Sequence, residues 1–128
     1  MDQELVRAAT RTARLHARGR EHSMAAAART DDGRIVTGLN VHHFTGGPCA
    51  ELVVIGTAAA QGARSLRTVV AVGDGGRGVV PPCGRCRQVL LDYYPDVEVI
   101  VGEGTALRAV PVAELLPCSY NPPCQPAS

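Results

Sequence analysis

This sequence has few aromatic side chains, and its basic and acidic residues are nearly equal in number. Aromatic residues make up 3% of the 128 residues, tryptophan is absent, and 13 basic against 12 acidic residues give a formal net charge of +1. Proteins that bind nucleic acid usually offer a basic field or a row of aromatic stacking platforms. The composition therefore argues against a nucleic-acid partner and favours a small-molecule substrate.

Long apolar runs are also missing. No stretch reaches the length of a membrane span, and the N-terminus has no basic head followed by an apolar middle, which excludes a recognisable signal peptide. Cys83 and Cys86 have the spacing of metal ligands, and without a secretory signal such spacing predicts a reducing, cytoplasmic setting. We expect one domain over residues 1–128, with residues 117–128 as an extended, proline-rich tail.

Hydrophobic periodicity predicts an alternation of helices and strands. The predicted helices cover residues 2–18, 49–63 and 83–94, with a short one at 111–116, and the predicted strands cover 24–30, 34–40, 68–73, 97–101 and 107–110. The glycine-rich residues 74–78 are predicted to form a flexible loop. This order of elements predicts an α/β fold of three α/β/α layers, built on a mostly parallel or mixed five-stranded sheet.

The first predicted helix has two different faces. One face is expected to pack on the sheet and carries Leu5, Ala8, Ala9, Thr12, Leu15 and His16. The opposite face carries Arg7, Arg11, Arg14 and Arg18. Such a stripe indicates either an anionic partner, a transit segment or a solvated helix face. Asp2 and Glu4 argue against a transit segment, and the solvated face is the simpler interpretation.

Two Pro-Cys motifs carry the candidate chemistry. The first is Pro48-Cys49-Ala50-Glu51, and the second is Pro82-Cys83-Gly84-Arg85-Cys86. Three thiolates can occupy three of the four tetrahedral positions of Zn²⁺ and leave the fourth for water, as in a catalytic site. A Glu that is not a ligand, together with Pro-Cys-x-x-Cys, is typical of zinc nucleobase deaminases. Cys49, Cys83 and Cys86 are therefore the candidate ligands of one Zn²⁺ per subunit.

Both motifs immediately precede predicted helices. Cys49 and Cys83 are thus expected at helix N-termini, where free N–H groups and the helix dipole favour thiolate. Arg85 and Arg87 are expected to offset the net negative charge that three thiolates leave on Zn²⁺. Glu51, in the first helical turn, is expected to take a proton from the activated water, pass it to ring nitrogen N3 and later protonate the departing amine.

A structural zinc site is the alternative to a catalytic one. Cys118 or Cys124 would then act as the fourth ligand and close a Cys₄ site without chemistry. A carboxylate beside the first cysteine favours catalysis, because a structural site has no use for Glu51. The tail that carries Cys118 and Cys124 is predicted to be either a disordered end or a lid with Tyr120 as its contact residue.

The motifs and their flanks resemble the small zinc-dependent cytidine deaminases. The matching stretches are residues 32–35, 37–38, 43–54 and 82–92, within a similar region of about 23–117. The resemblance implies hydrolysis of the 4-amino group of a cytosine ring to a carbonyl with release of ammonia. It also implies the deaminase fold and a homotetramer whose active sites are completed by neighbouring subunits. Within the family, residues 43–48 point to the branch that acts on the nucleoside antibiotic blasticidin S, with cytidine or deoxycytidine salvage as the alternative.

The same resemblance implies the substrate contacts. They are Ser23, Asn40, His42, Ala50, Arg85 and Tyr120. Asn40 corresponds to the asparagine that holds the sugar hydroxyl in cytidine deaminases, and His22 to the aromatic residue beside the base. His42 replaces a glutamate that grips the ribose; that glutamate would repel the carboxylate on the sugar of blasticidin S, whereas His42 would not. Arg85 would attract the same carboxylate. Neutral drift at His42 and simple charge compensation by Arg85 are the alternatives.

Overall fold

The computed structural model describes residues 1–121. The helices are α1 (Gln3–His16), α2 (Ala50–Ala60) and α3 (Gly84–Tyr93), followed by a 3₁₀ turn at Val112–Leu115. The strands are β1 (Met24–Thr30), β2 (Ile35–Leu39), β3 (Leu66–Gly73), β4 (Gly78–Val79), β5 (Glu98–Glu103) and β6 (Ala106–Pro111). All the predicted helices and strands are present with slightly shifted ends, although the last helix is a 3₁₀ turn.

One mixed sheet forms the centre of the molecule. Its strand order is β2-β1-β3-β5-β6, and β4 pairs with β3 beside this path. Among the strands of residues 1–121, only β3 and β5 pair in parallel. The predicted mixed sheet is thus confirmed, and its five predicted strands form the main path, with the two-residue β4 added as a sixth; of the two alternatives considered, the sheet is mixed rather than mostly parallel. The sixth strand arises because the glycine-rich turn after Gly73 reverses the chain, which brings Gly78 and Val79 opposite Gly73 and Val72.

Strand β1 separates two apolar clusters. Ala25 to Ala28 are all 0% exposed, and successive side chains of a strand point to opposite faces. Ala25 and Ala27 contact the α1 side, together with Val70, Val72 and Ile100. Ala26 and Ala28 contact the other side, where Val54 of α2 and Leu90 of α3 complete the cluster. The predicted three-layer arrangement is therefore confirmed, with α1 on one face and α2 and α3 on the other.

Helix α1 packs through a narrower stripe than its sequence suggested. Its buried residues are Leu5, Ala9 and Ala13. Leu15 is 59% exposed and His16 is also exposed, so their predicted packing on the sheet is wrong. The reason is geometric: Leu15 lies two positions beyond Ala13, about 200° further round the helix. The four arginines of the opposite face are all exposed, as expected of a solvated face.

The first turn of α1 is fastened to the β1–β2 hairpin. Asp2 caps the helix by accepting the Leu5 N–H at 3.1 Å. The Arg29 guanidinium donates to Asp2 at 2.9 and 3.0 Å and to Glu4 at 2.8 Å, and it also reaches the Gly33 carbonyl at 2.9 Å. Within residues 1–121, no helix combines the length and the apolar character needed to cross a bilayer.

Candidate active site

The two Pro-Cys motifs meet where helices α2 and α3 begin. Cys49 is the N-cap of α2 and Cys83 is the N-cap of α3, both with extended backbones. Cys86 lies buried in the first turn of α3. The three Sγ atoms lie within 4.8 Å of one another, and those of Cys49 and Cys83 are 3.6 Å apart. The structure thus brings together the three cysteines that the sequence nominated.

This cluster has the donor chemistry and the spacing of a zinc site. A Zn–S bond of about 2.3 Å in a tetrahedral site separates neighbouring sulfur atoms by about 3.8 Å, close to the Cys49–Cys83 separation. Cys118 is exposed and does not join the cluster, which is the only group of three or more potential metal ligands in residues 1–121. Cys124, the other cysteine considered as a fourth ligand, lies outside the described residues. The described part of the chain therefore supplies three thiol ligands rather than four.

Glu51 lies directly beside this cluster. It is 5% exposed, in the first turn of α2, and its carboxyl contacts the Cys86 thiol. Burial raises the pKa of this carboxyl, opposed by hydrogen bonds from its own backbone N–H and from Cys86. A carboxyl held next to the metal ligands and shielded from bulk water is suited to move protons in the site.

The surroundings of Cys83 and Cys86 shift the pKa values of the two thiols in opposite directions. Burial opposes ionisation of Cys83, but hydrogen bonds from the Cys86 N–H, the neighbouring thiols and the Arg85 N–H outweigh it and lower the pKa of this thiol. Burial and the nearby Glu51 carboxyl raise the pKa of the Cys86 thiol. Helix N-termini favour thiolate through their free N–H groups, and at the start of α3 the Cys86 N–H donates to Cys83 Sγ at 3.5 Å.

Arg85 contacts the thiol cluster and Arg87 does not. The Arg85 guanidinium donates to the Gly47 carbonyl at 3.1 Å and to Cys49 Sγ at 3.5 Å, and the contact with Cys49 raises its pKa. Arg87 instead donates to the Pro82 and Leu115 carbonyls at 2.7 and 3.0 Å. The charge compensation expected of both arginines therefore comes from Arg85, while Arg87 ties the start of α3 to the 3₁₀ turn. The sequence alone did not identify this second role, because a side-chain bond to a backbone carbonyl leaves no residue pattern, and Leu115 lies 28 residues away.

The loop before α2 is held by a close backbone approach. The Val41 N–H donates to the Pro48 carbonyl at 3.0 Å. A Cβ on Gly47 would overlap the Val41 carbonyl oxygen, so only glycine fits at this position. Phe44, at the tip of the loop, is 93% exposed and lies against the His43 ring at a centroid distance of 4.6 Å. Glycine at position 47 thus allows the turn that leads into Cys49.

Three of the predicted substrate contacts lie around the start of β1. The Asn40 side-chain oxygen accepts the Ser23 and Met24 N–H groups at 2.8 and 2.9 Å, and the His22 Nδ1 lies 2.8 Å from the Asn40 carbonyl oxygen. His42 is exposed, and its N–H donates to the Glu21 carbonyl at 2.9 Å. Asn40 therefore fixes the backbone at Ser23.

The two remaining predicted contacts lie at the base of α2 and beyond the 3₁₀ turn. Ala50, the first residue of α2, is fully buried. Tyr120 is 68% exposed, and its carbonyl accepts a hydrogen bond from the Gln88 side chain at 3.1 Å. Gln88 thereby ties the chain at Tyr120 to the catalytic-side helix α3, a link that sequence reasoning missed.

Comparison with protein families gives one matching model. It describes the cytidine and deoxycytidylate deaminase zinc-binding region and matches residues 1–103. Among curated proteins, blasticidin-S deaminase of Bacillus cereus is 34% identical over 94% of this chain and 92% of that protein. A cytidine deaminase of Mycobacterium tuberculosis is 45% identical, over 56% of this chain and 54% of that protein.

Solved structures show the same fold. The crystal structure of cytidine deaminase from Mycobacterium tuberculosis superposes with a TM-score of 0.76 at 31% identity, covering 94% of this chain and 98% of that one. Cytidine deaminase from Burkholderia pseudomallei gives a TM-score of 0.77 at 30% identity, covering 94% and 99%. The predicted fold class is confirmed by these similarities.

Proposed function

This chain belongs to the cytidine and deoxycytidylate deaminase family, and on that premise we propose that its preferred substrate is the cytosine antibiotic blasticidin S. The family assignment makes it a zinc-dependent aminohydrolase that deaminates cytosine-type rings. One observation carries the chemistry: the buried carboxyl of Glu51 lies beside the thiol of Cys86, one of three clustered thiols where two helices begin.

The proposed division of labour follows from these positions. Cys49, Cys83 and Cys86 would hold Zn²⁺, which would supply Lewis-acid chemistry that makes water a stronger acid. Glu51 accepts one proton from the attacking water and delivers it to ring nitrogen N3. It then takes the second proton from the hydroxyl now on C4 and passes it to the amine, which leaves as ammonia while the C4 carbonyl forms. Burial makes this carboxyl a stronger base than an exposed glutamate. Arg85 keeps the Cys49 thiolate compensated through its hydrogen bond.

Preference for blasticidin S is supported by charge. Coverage does not separate the candidates, because the blasticidin-S deaminase relative aligns along 94% of this chain and the Mycobacterium tuberculosis cytidine deaminase aligns along 56% in sequence and 94% in structure. In the proposed complex, His42 and Arg85 bring no negative charge near the carboxylate of the antibiotic. The glutamate that His42 replaces in cytidine deaminases would repel that carboxylate. We place Ser23, Asn40 and Tyr120, together with buried Ala50, among the contacts of the bound substrate.

Cytidine or deoxycytidine is the second candidate substrate. It is favoured by solved cytidine deaminases at about 30% identity that align along 94% of this chain. Asn40, which pins the start of β1, is present in either case. The two candidates share the same reaction at the cytosine ring and differ only in the sugar side of the pocket.

We also propose that the single domain assembles as a homotetramer. Phe44 is 93% exposed on the loop that leads to Cys49. Helix α2 is apolar on almost every side, yet Gly56, Ala59 and Ala60 are exposed. A helix that is apolar all round is usually buried. A neighbouring subunit that covers Phe44 and this face of α2 would bury both.

Turnover measurements with matched variants test the proposal. Purified, zinc-loaded protein is mixed with blasticidin S or cytidine, and deamination is followed by ultraviolet absorbance. We expect kcat/KM for blasticidin S to exceed that for cytidine. Glu51→Gln should lower kcat by about 10²- to 10⁴-fold, the usual contribution of a general acid and base. Glu114→Gln, an exposed carboxylate on the 3₁₀ turn, should leave kcat unchanged.

The outcomes separate substrate from mechanism. Preference for cytidine would reject blasticidin S as the main substrate and leave the role of Glu51 intact. Loss of zinc in Glu51→Gln would show that this carboxylate is a ligand and not a proton carrier. No turnover of either compound by protein with one zinc per chain would favour the structural-zinc alternative.

A further inference from the structure

A cavity lies on the α1 face of the sheet, opposite the face that α2 and α3 cover. It has a volume of about 650 Å³ and opens between the C-terminal turn of α1 and the glycine-rich turn that joins β3 to β4. Arg14 and Arg18 line one side, and Gly75 and Gly76 line the other. None of Cys49, Glu51, Cys83 and Cys86 reaches this cavity, so it is separate from the thiol cluster.

The two arginines of this cavity have no acidic partner in residues 1–121. All 13 basic residues of the chain are arginines, and several are already engaged. Arg29 takes both carboxylates of the first turn of α1, and Arg77 takes Asp74 at 3.0 Å. Asp74 also lines the cavity, but its carboxylate is thereby compensated. Arg14, in the last turn of α1, and Arg18, just beyond the end of that helix, form no ion pair in residues 1–121. They outnumber the one unpaired carboxylate at the edge of the cavity, that of Glu21 beside Gly19, and so give the cavity a net positive charge.

The glycine turn adds backbone donors. Gly75 and Gly76 both have positive φ, 60° and 77°, and a Cβ at either position would meet open space. The turn is closed by the Arg77 N–H, which donates to the Asp74 carbonyl at 3.2 Å. Within residues 1–121 the N–H groups of Gly75 and Gly76 have no backbone acceptor. Consecutive free N–H groups in such a turn form a concave site for anionic oxygens.

We propose that this cavity binds the diphosphate or triphosphate group of a small phosphorylated ligand. Guanidinium groups bind phosphate oxygens in a bidentate manner, and two of them can hold adjacent phosphates of one chain. Free glycine amides on the facing wall supply donors to the remaining oxygens. The volume lies in the range of small-molecule sites, about 300–1,000 Å³, and exceeds the needs of a phosphate chain alone. The shared chemistry is a polyphosphate, from either an inorganic source or a nucleotide.

An NMR titration of the zinc-loaded protein tests this site. The probes are inorganic triphosphate and ATP; ATP has no cytosine ring, so it does not report the deaminase reaction. The amide signals of Gly75 and Gly76 report the cavity, and that of Gly84, at the start of α3, reports the thiol cluster. At 0.15 M salt we expect saturable shifts of Gly75 and Gly76 with a Kd of about 1 mM or tighter, and no saturable shift of Gly84.

Two double variants with equal loss of charge supply the control. Arg14→Gln with Arg18→Gln should weaken binding at least about tenfold, as expected for loss of two charge-assisted contacts. Arg64→Gln with Arg108→Gln removes two exposed arginines elsewhere and should change Kd less than about twofold. Equal affinities for the two probes would assign the site to the phosphate chain, and tighter binding of ATP would place its nucleoside in the rest of the cavity. The proposal is overturned by no saturable shift of Gly75 and Gly76 up to about 10 mM, by equal weakening in both double variants, or by shifts centred on Gly84.

Discussion

Gly38 in β2 sets how closely helix α2 approaches the sheet. A Cβ at this position would lie 3.0 Å from Val53 Cγ1 and 3.2 Å from Val54 Cγ2. Optimal carbon contacts are about 3.5–4.0 Å, so alanine would overlap both valines by several tenths of an ångström. Val54 is 0% exposed and has nowhere to move. Gly38→Ala must therefore displace α2, which carries Cys49 at its N-terminus.

Two opposing contributions decide the size of the effect. Replacing glycine by alanine in a strand recovers about 0.5–1 kcal/mol of backbone entropy. Overpacking a closed core costs about 1–3 kcal/mol. We expect Gly38→Ala to lower the free energy of unfolding by about 1 kcal/mol net, which for a chain of this size corresponds to about 3–5 °C in the melting midpoint.

A double-mutant cycle with Val53→Ala tests the cause. Removing the nearer valine methyls should relieve part of the loss caused by Gly38→Ala, with a coupling energy of about 0.5–1 kcal/mol, while the overlap with Val54 remains. The assay is thermal unfolding of the zinc-loaded protein by circular dichroism at one protein concentration. Thr37→Ala, at an exposed position of the same strand, should change the free energy by no more than about 0.5 kcal/mol. A midpoint that rises in Gly38→Ala, or an equal loss with and without the Val53 methyls, would refute this reasoning.

Two further predictions concern the metal and the pH dependence of stability. Cys118→Ser should retain one zinc per chain by atomic absorption, whereas Cys83→Ser should lose most of it; zinc loss in Cys118→Ser would contradict the three-ligand site. The hydrogen bond from Arg29 holds the pKa of Asp2 below its usual value of 3.8, so its stabilisation is complete above 3.8 and is lost as the pH falls through the lowered pKa. The difference in melting midpoint between wild type and Asp2→Asn should therefore shrink below pH 3.8, and a difference that stays constant would exclude this ion pair as its source.

Local patterns were enough to predict the site, because its parts are local. Pro-Cys before an apolar run predicts a thiol at a helix start, and this is where Cys49 and Cys83 lie. Glu51 follows within one turn of the same helix, so its position beside the thiols also follows from the sequence. The convergence of the two helix starts follows from no local pattern, because nothing local states which helices are neighbours. It was predicted from the combination of the two Pro-Cys motifs, which is typical of zinc nucleobase deaminases.

Features that depend on contacts distant in the sequence were missed. Strand β4 has two residues, too few to show any periodicity, and it exists because the turn before it brings it against β3. The burial of Ala13 instead of Leu15 depends on how α1 is rotated on the sheet, and the larger side chain misled the prediction. Arg87 was assigned to the thiols by proximity in sequence, whereas its partners are the carbonyls of Pro82 and Leu115.

The four alanines of β1 lie between the two apolar clusters, one on each face of the sheet, and the strand backbone separates the clusters there. Ala25 and Ala27 serve the cluster under α1, and Ala26 and Ala28 serve the one under the catalytic helices. A substitution that changes the volume of a β1 side chain therefore affects first the residues packed on that same face of the sheet.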